Sequence, residues 1–125
     1  MNNDKYRVWD KEEKRFWYFT LQEILERKMS YEGSWDLKIL KGDKTKYTGL
    51  NDNKGKEIYK GDIIKAINRN YDCEENRKDY FQLFEVTYLN GCYMFGNWNA
   101  HEFFNSFMFR EIVGNKFENP ELLEN

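Results

Sequence analysis

Between Tyr47 and Ile64 the chain reads YTGLNDNKGKEIYKGDII, and glycines at 49, 55 and 61 cut it into apolar pieces too short for a helix. Such punctuation leaves short strands and tight bends as the available structure. Glycine reaches positive φ without steric cost, and Asn51, Asp52 and Asn53 favour turns through hydrogen bonds from their own side chains. Gly49, Gly55, Gly61 and Asp62 are therefore read as turn-formers, with no reaction attached to them. Asp62 is placed to accept backbone N–H groups at the Gly61-Asp62 bend, with Ile58, Tyr59, Ile63 and Ile64 straddling it.

The flanking segments extend the same pattern. Tyr6–Trp9 and Arg15–Phe19 read as strands around a charged turn. Thr20 followed by Glu23 is a capping box, and Leu21, Ile24, Leu25 and Met29 recur near helical spacing, so an amphipathic helix is expected near residues 20–30. Trp35, Leu37 and Ile39 alternate as a half-buried strand, and Lys41–Lys46 reads as a solvated connection. Ile63–Ile67 is a strand, followed by a polar loop over 68–79. The alternating run from Phe81 to Tyr88 leads through Asn90-Gly91, a favoured type I′ pair, into Cys92–Phe95. Both faces of its first strand carry apolar groups, which implies burial on two sides or contact with another chain. Asn99–Asn105 reads as a short helix or a loop with Phe103 and Phe104 turned inward. Arg110–Val113 is a last strand ended by Gly114, and Asn119-Pro120-Glu121 has the form of an N-cap opening a terminal helical turn. The expected fold is β-rich α+β: a small, strongly curved antiparallel sheet or partly open barrel with one helix and a short C-terminal turn.

A length of 125 residues suits one domain spanning 1–125, with enough chain to close a single core. No apolar run approaches the roughly 18 residues of a membrane helix. The amino-terminal residues lack the pattern of a secretory signal, so a cytoplasmic location and reduced thiols at Cys73 and Cys92 are expected. Aromatic residues make up 18% of the chain, more than a core of this size holds. Some of them must reach the surface, where clusters of that kind mark contact with a partner, often a second copy of the chain.

Candidate chemistry is sparse. His101 is the only histidine, so a metal site would have to draw on Glu102 and Asn99, and catalysis would pair His101 with Cys73, Cys92 or Ser106 in surroundings that match no nucleophile motif. Asn51, Asn53 and Asp62 imitate a calcium loop, but Lys56 stands where that loop needs glycine. No metal and no cofactor is assigned. Charge is uneven: residues 1–37 carry −1, residues 38–69 carry +5 and residues 70–125 carry −6. The basic middle places Tyr47, Lys56, Tyr59 and Lys60 together as candidate binding residues for single-stranded nucleic acid or a nucleotide. The net charge of −2 disfavours that reading.

The block at 47–64, the segment EIVGNKFENPELL at 111–123 and the stretch YRVWDKEEKRF at 6–16 together resemble the YopX family of small bacteriophage and prophage proteins. Residues 20–46 and 68–109 match it only loosely. The resemblance implies a β-rich fold and a gene expressed inside a bacterium, and it brings no catalytic residue with it. The expectation that follows is a non-enzymatic accessory protein, homo-oligomeric, binding a host or phage protein and no membrane. A small enzyme using His101 is the remaining alternative.

Overall fold

The structure, a computed structural model, describes residues 5–23, 42–71, 75 and 77–124. The described residues form two antiparallel sheets. The first has the order β2-β1-β3-β4, from β1 (Lys5–Asp10), β2 (Arg15–Thr20), β3 (Lys44–Asn51) and β4 (Glu57–Tyr59). The second has the order β8-β7-β6-β5-β9, from β5 (Asp62–Asn68), β6 (Gln82–Leu89), β7 (Cys92–Phe95), β8 (Trp98–Asn99) and β9 (Phe107–Asn115). A short helix, α1 (Ala100–Ser106), joins β8 to β9. This is the expected β-rich α+β class, with the curved scaffold divided into two linked sheets.

The main core lies between the inner face of the second sheet, α1 and the β3–β4 hairpin. Ile58, Ile64, Ala66, Phe84, Val86, Phe95, Phe103 and Phe107 form one buried cluster. Phe103 stacks on Phe95 and Phe107 with ring centroids 4.6 and 5.0 Å apart. Each fully buried side chain of this size contributes about 2–3 kcal/mol relative to exposure. A satellite cluster of Val8 and Phe19 seals the first sheet, with Tyr6 and Trp17 against it. Strand β5 lies inside the second sheet, hydrogen-bonded to β6 and β9, and all of its residues except Lys65 and Asn68 are buried.

Local signals account for most boundaries. Asn90 and Gly91 have φ of 51° and 86°, the left-handed pair of the expected hairpin turn. Asn99 caps α1 by accepting the Glu102 N–H at 2.8 Å. Thr20 and Glu23 form the capping box reciprocally, Glu23 N–H to Thr20 Oγ1 at 3.1 Å and Thr20 N–H to Glu23 Oε1 at 2.8 Å. Residues 21–23 are helical. The rest of the expected helix, the strand around Trp35–Ile39 and Cys73 fall outside the described residues.

Several expectations need correcting. Strand β3 begins at Lys44, inside the expected solvated connection, because Thr45 pairs with Arg7 and is buried there. Strand β9 starts at Phe107 and passes through Gly114, which pairs with Ile63, so that glycine does not end it. Asn119 stands at the N-cap of the terminal turn with Pro120 opening it, as expected, but its side chain makes no capping bond. Its Oδ1 accepts the Asn115 N–H at 3.2 Å instead, and Pro120–Leu123 is a 3₁₀ turn. On β6 only Phe84 and Val86 face the core, while Leu83 on the opposite face is exposed.

Candidate functional site

The glycine-punctuated block is the seam between the sheets. Its strand β4 closes the first sheet and β5 opens the second, with Gly61 at φ 96° making the turn between them. The Gly61 N–H donates to Val86 O at 2.8 Å, and Gly61 O accepts the Lys116 N–H at 2.8 Å. A glycine is required there because an L side chain rarely adopts that φ.

Two carboxylates in the block each clasp a different strand. Asp52 accepts the N–H groups of Lys54 and Lys56, both at 2.9 Å, which shapes the β3–β4 turn. Its other oxygen accepts the Ile112 N–H of β9 at 3.0 Å. Asn53 completes that junction: its N–H donates to Arg110 O at 2.9 Å, and its Oδ1 accepts the Arg110 N–H at 2.6 Å. The residue preceding Arg110 absorbs the geometry, since Phe109 sits at φ 54°, an unusual conformation for an aromatic residue in a strand.

Ten residues on, Asp62 reaches the first sheet. Its Oδ1 accepts from Arg7 Nη2 at 2.7 Å and its Oδ2 accepts the Tyr59 N–H at 2.8 Å. Both side chains of this pair are buried, at 5% and 3% exposure. Burial pushes the Asp62 carboxyl above the ordinary carboxylate range, against the opposing pull of Arg7 and the Tyr59 N–H. The Arg7 guanidinium lies over the Phe16 ring at 4.1 Å and the Tyr59 ring at 4.8 Å. Its Nε is buried with no hydrogen-bond partner.

Above this pair, a cleft of about 490 Å³ opens between β1–β2, β4 and the end of β9. Phe16, Tyr18 and Tyr59 wall one side, while Ile112–Asn115, Glu118 and Asn119 form the other. Lys56 and Glu57 stand at its rim. Glu57 is bridged to Lys5 at 2.5 Å, and Asn115 Nδ2 donates to Glu118 at 3.2 Å.

A second surface lies on the outer face of the second sheet. Leu83, Lys65 and Glu111 form a cross-strand row on β6, β5 and β9. Lys54 bridges to Glu111 at 2.7 Å, which holds that carboxyl below its usual range. Beside the row, Phe109 (40% exposed) packs near Phe81 and under the Arg77 guanidinium. Tyr71 and Tyr80 stack on one another at 5.5 Å, both exposed.

The structure separates the residues singled out from the sequence. Gly55, Gly61 and Asp62 shape turns, and Gly49 lies within β3 at φ 86°. Of the candidate binding residues, Lys56 and Tyr59 line the cleft, whereas Tyr47 and Lys60 do not. Tyr47 and Tyr59 are buried, with rings 5.7 Å apart, so neither presents an open stacking face to a base. The Tyr47 hydroxyl donates to Asn51 at 2.5 Å. His101 is exposed on α1, paired with Asn105 at 3.1 Å, far in role from the cleft it does not line. Ser106 ends the same helix, and Cys92 is an exposed free thiol. Among the described residues no group of three His, Cys, Asp or Glu is placed to hold a metal ion, and no helix is long and apolar enough to cross a membrane. Sequence reasoning missed Arg7, which sits in an ordinary amphipathic strand and acquires its role only from Asp62, 55 residues away.

A family model described as "YopX protein" matches residues 5–124. No curated protein matches the chain. The crystal structure of protein EF1440 from Enterococcus faecalis is similar in fold, with a TM-score of 0.58 and 20% identity over 96% of this chain and 97% of that one.

Proposed function

Since the chain belongs to the YopX family over residues 5–124, we propose that it is a non-enzymatic accessory protein of bacteriophage or prophage origin. In this reading it is a homo-oligomeric binding module that acts on a host or phage protein in the bacterial cytoplasm. The observation that carries it is the outer face of the second sheet. Leu83 and Phe109 are exposed there among Lys65, Lys54 and Glu111. Large apolar groups on a sheet face favour burial against another surface. The accompanying charges are of both signs and partly paired, so two copies related by a two-fold axis meet without net repulsion. A strained phenylalanine on the edge strand of the face supports the same reading, because backbone strain persists where it positions a working side chain.

The test is a native-mass measurement on the protein and on a Leu83→Ser/Phe109→Ser variant. The reading expects an oligomer for the protein and a shift toward monomer for the variant. A monodisperse monomer at all concentrations, with no bound partner after purification from host cells, would refute it.

A further inference from the structure

Where β5 and β9 meet the end of α1, two guanidinium groups come together with no carboxylate to match them. Asn68 pairs with Phe107 at that end of the ladder, so Arg69 follows directly after β5 while Arg110 lies three residues further along β9. Both reach back to the C-terminal end of α1. Arg69 Nε donates to Asn105 O at 2.8 Å, and Arg110 Nη1 donates to Phe107 O at 2.6 Å. Neither has an ion-pair partner among the described residues. Arg110 is held below the ordinary guanidinium range, first by burial and then by the charge of Arg69, and no carboxylate offsets either effect. A helix C-terminus carries the equivalent of about half a negative charge, enough to favour one cation beside it. The second cation adds repulsion that nothing in the fold compensates.

The donors left over narrow the class of anion. Arg69 is exposed and spends only Nε, so both of its Nη groups are open. Arg110 offers Nη2 alone, because its Nε is sealed in the interior and its Nη1 is spent on Phe107 O. The Arg110 guanidinium carbon lies 4.3 Å from the centre of the Phe104 ring, which fixes its plane and lowers the ordering cost of a bound ligand. A carboxylate carries one charge and two oxygens, which a single guanidinium fork already satisfies. A terminal phosphate carries about two negative charges and three acceptor oxygens, and so answers both cations and all of their open nitrogens. A strand of successive phosphates is disfavoured, because the segment that follows Arg69 carries the exposed carboxylates Glu75 and Asp79. We propose that Arg69 and Arg110 bind the terminal phosphate of a small phosphate monoester.

The experiment is isothermal titration calorimetry of the intact protein at about pH 8, where a phosphate monoester is a dianion, with ionic strength held constant by chloride. The probes are methyl phosphate, acetate and octathymidylate. Methyl phosphate is expected to bind saturably and more tightly than either of the others. Arg69→Gln, an exposed change, should weaken that binding by about tenfold or more. Arg69→Lys keeps the charge but loses the planar fork, and its affinity should fall between the two. Three results would overturn the inference: no saturable heat with methyl phosphate, acetate or octathymidylate binding at least as tightly, or an affinity unchanged in both Arg69 variants. The oligomeric state plays no part in this readout, so its outcome and that of the proposed function are separable.

Discussion

Arg7 on β1 and Asp62 at the first position of β5 form a buried ion pair, Nη2 to Oδ1 at 2.7 Å, that fastens one sheet to the other. Taking either partner away leaves a charge stranded in the interior. Arg7→Met or Asp62→Leu alone should each cost about 3–5 kcal/mol, while the double variant should recover most of that loss. Urea unfolding midpoints for the three variants check this. A double variant as unstable as the singles would show that the pair does more than neutralise itself.

Acid titration should expose the same pair from another side. The folded chain holds the Asp62 proton to higher pH than the unfolded chain does, because burial outweighs the pull of Arg7. Stability linked to this group is therefore complete below the unfolded carboxyl pKa of about 4 and is lost as pH rises through the raised folded value. The stability of the protein relative to Asp62→Asn should accordingly fall from acid toward neutral pH. A difference that grows over that interval would mean that Asp62 ionises below its ordinary range.

Asp52 binds three amide groups, two within its own turn and one on β9. Asp52→Ala should destabilise the fold by about 3 kcal/mol, since each hydrogen bond to a charged group is worth about 1.5–3 kcal/mol before relaxation. Hydrogen exchange supplies the specific check. The Ile112 amide should exchange far faster in the variant, ahead of the amides of β6 that Asp52 does not touch.

Gly55 and Gly61 share positive φ but differ in surroundings. A Cβ at Gly55 meets nothing within 4 Å, whereas one at Gly61 lies 3.4 Å from Phe117 Cε2 and 3.5 Å from Lys116 Cε. Gly55→Ala should cost about 1 kcal/mol, from backbone strain alone, and Gly61→Ala about 2 kcal/mol, because the bend is fixed on both sides by backbone hydrogen bonds. Thermal unfolding of the two variants distinguishes these costs.

Phe109 offers a test of strain held for use. Asparagine tolerates φ of 54° far better than phenylalanine does. Phe109→Asn should therefore leave the stability of the subunit unchanged or raise it by about 1 kcal/mol, while weakening self-association. Denaturation at low protein concentration, set beside native mass, reads the two effects apart.

The sequence was legible where local chemistry decides structure. Asn90-Gly91 and the Thr20–Glu23 box each act through neighbours a few residues away, and each appears as read. The Gly61-Asp62 bend and its buried flanks were equally plain, because glycine spacing and apolar runs reveal them directly. The start of β3 was hidden because Thr45 and its lysine neighbours look like loop residues until β1 supplies a partner. Asn119 carried a capping signature, yet a competing donor, the Asn115 N–H, claimed its side-chain oxygen. The cleft was invisible for a related reason. Its floor depends on Arg7 meeting a carboxylate 55 positions away, and no periodicity encodes that meeting. Basic and aromatic content around Tyr47 and Tyr59 suggested an exposed stacking surface, but both rings serve the interior.

The segment from Asp52 to Asp62 is a continuous strap whose two ends grip different sheets. Neither sheet can be excised as a self-sufficient fragment, since each lacks a clasp supplied by that strap. A circular permutant opened at the exposed Asn90-Gly91 turn should fold, whereas a nick between Lys54 and Gly55 would separate both grips and collapse the whole assembly at once.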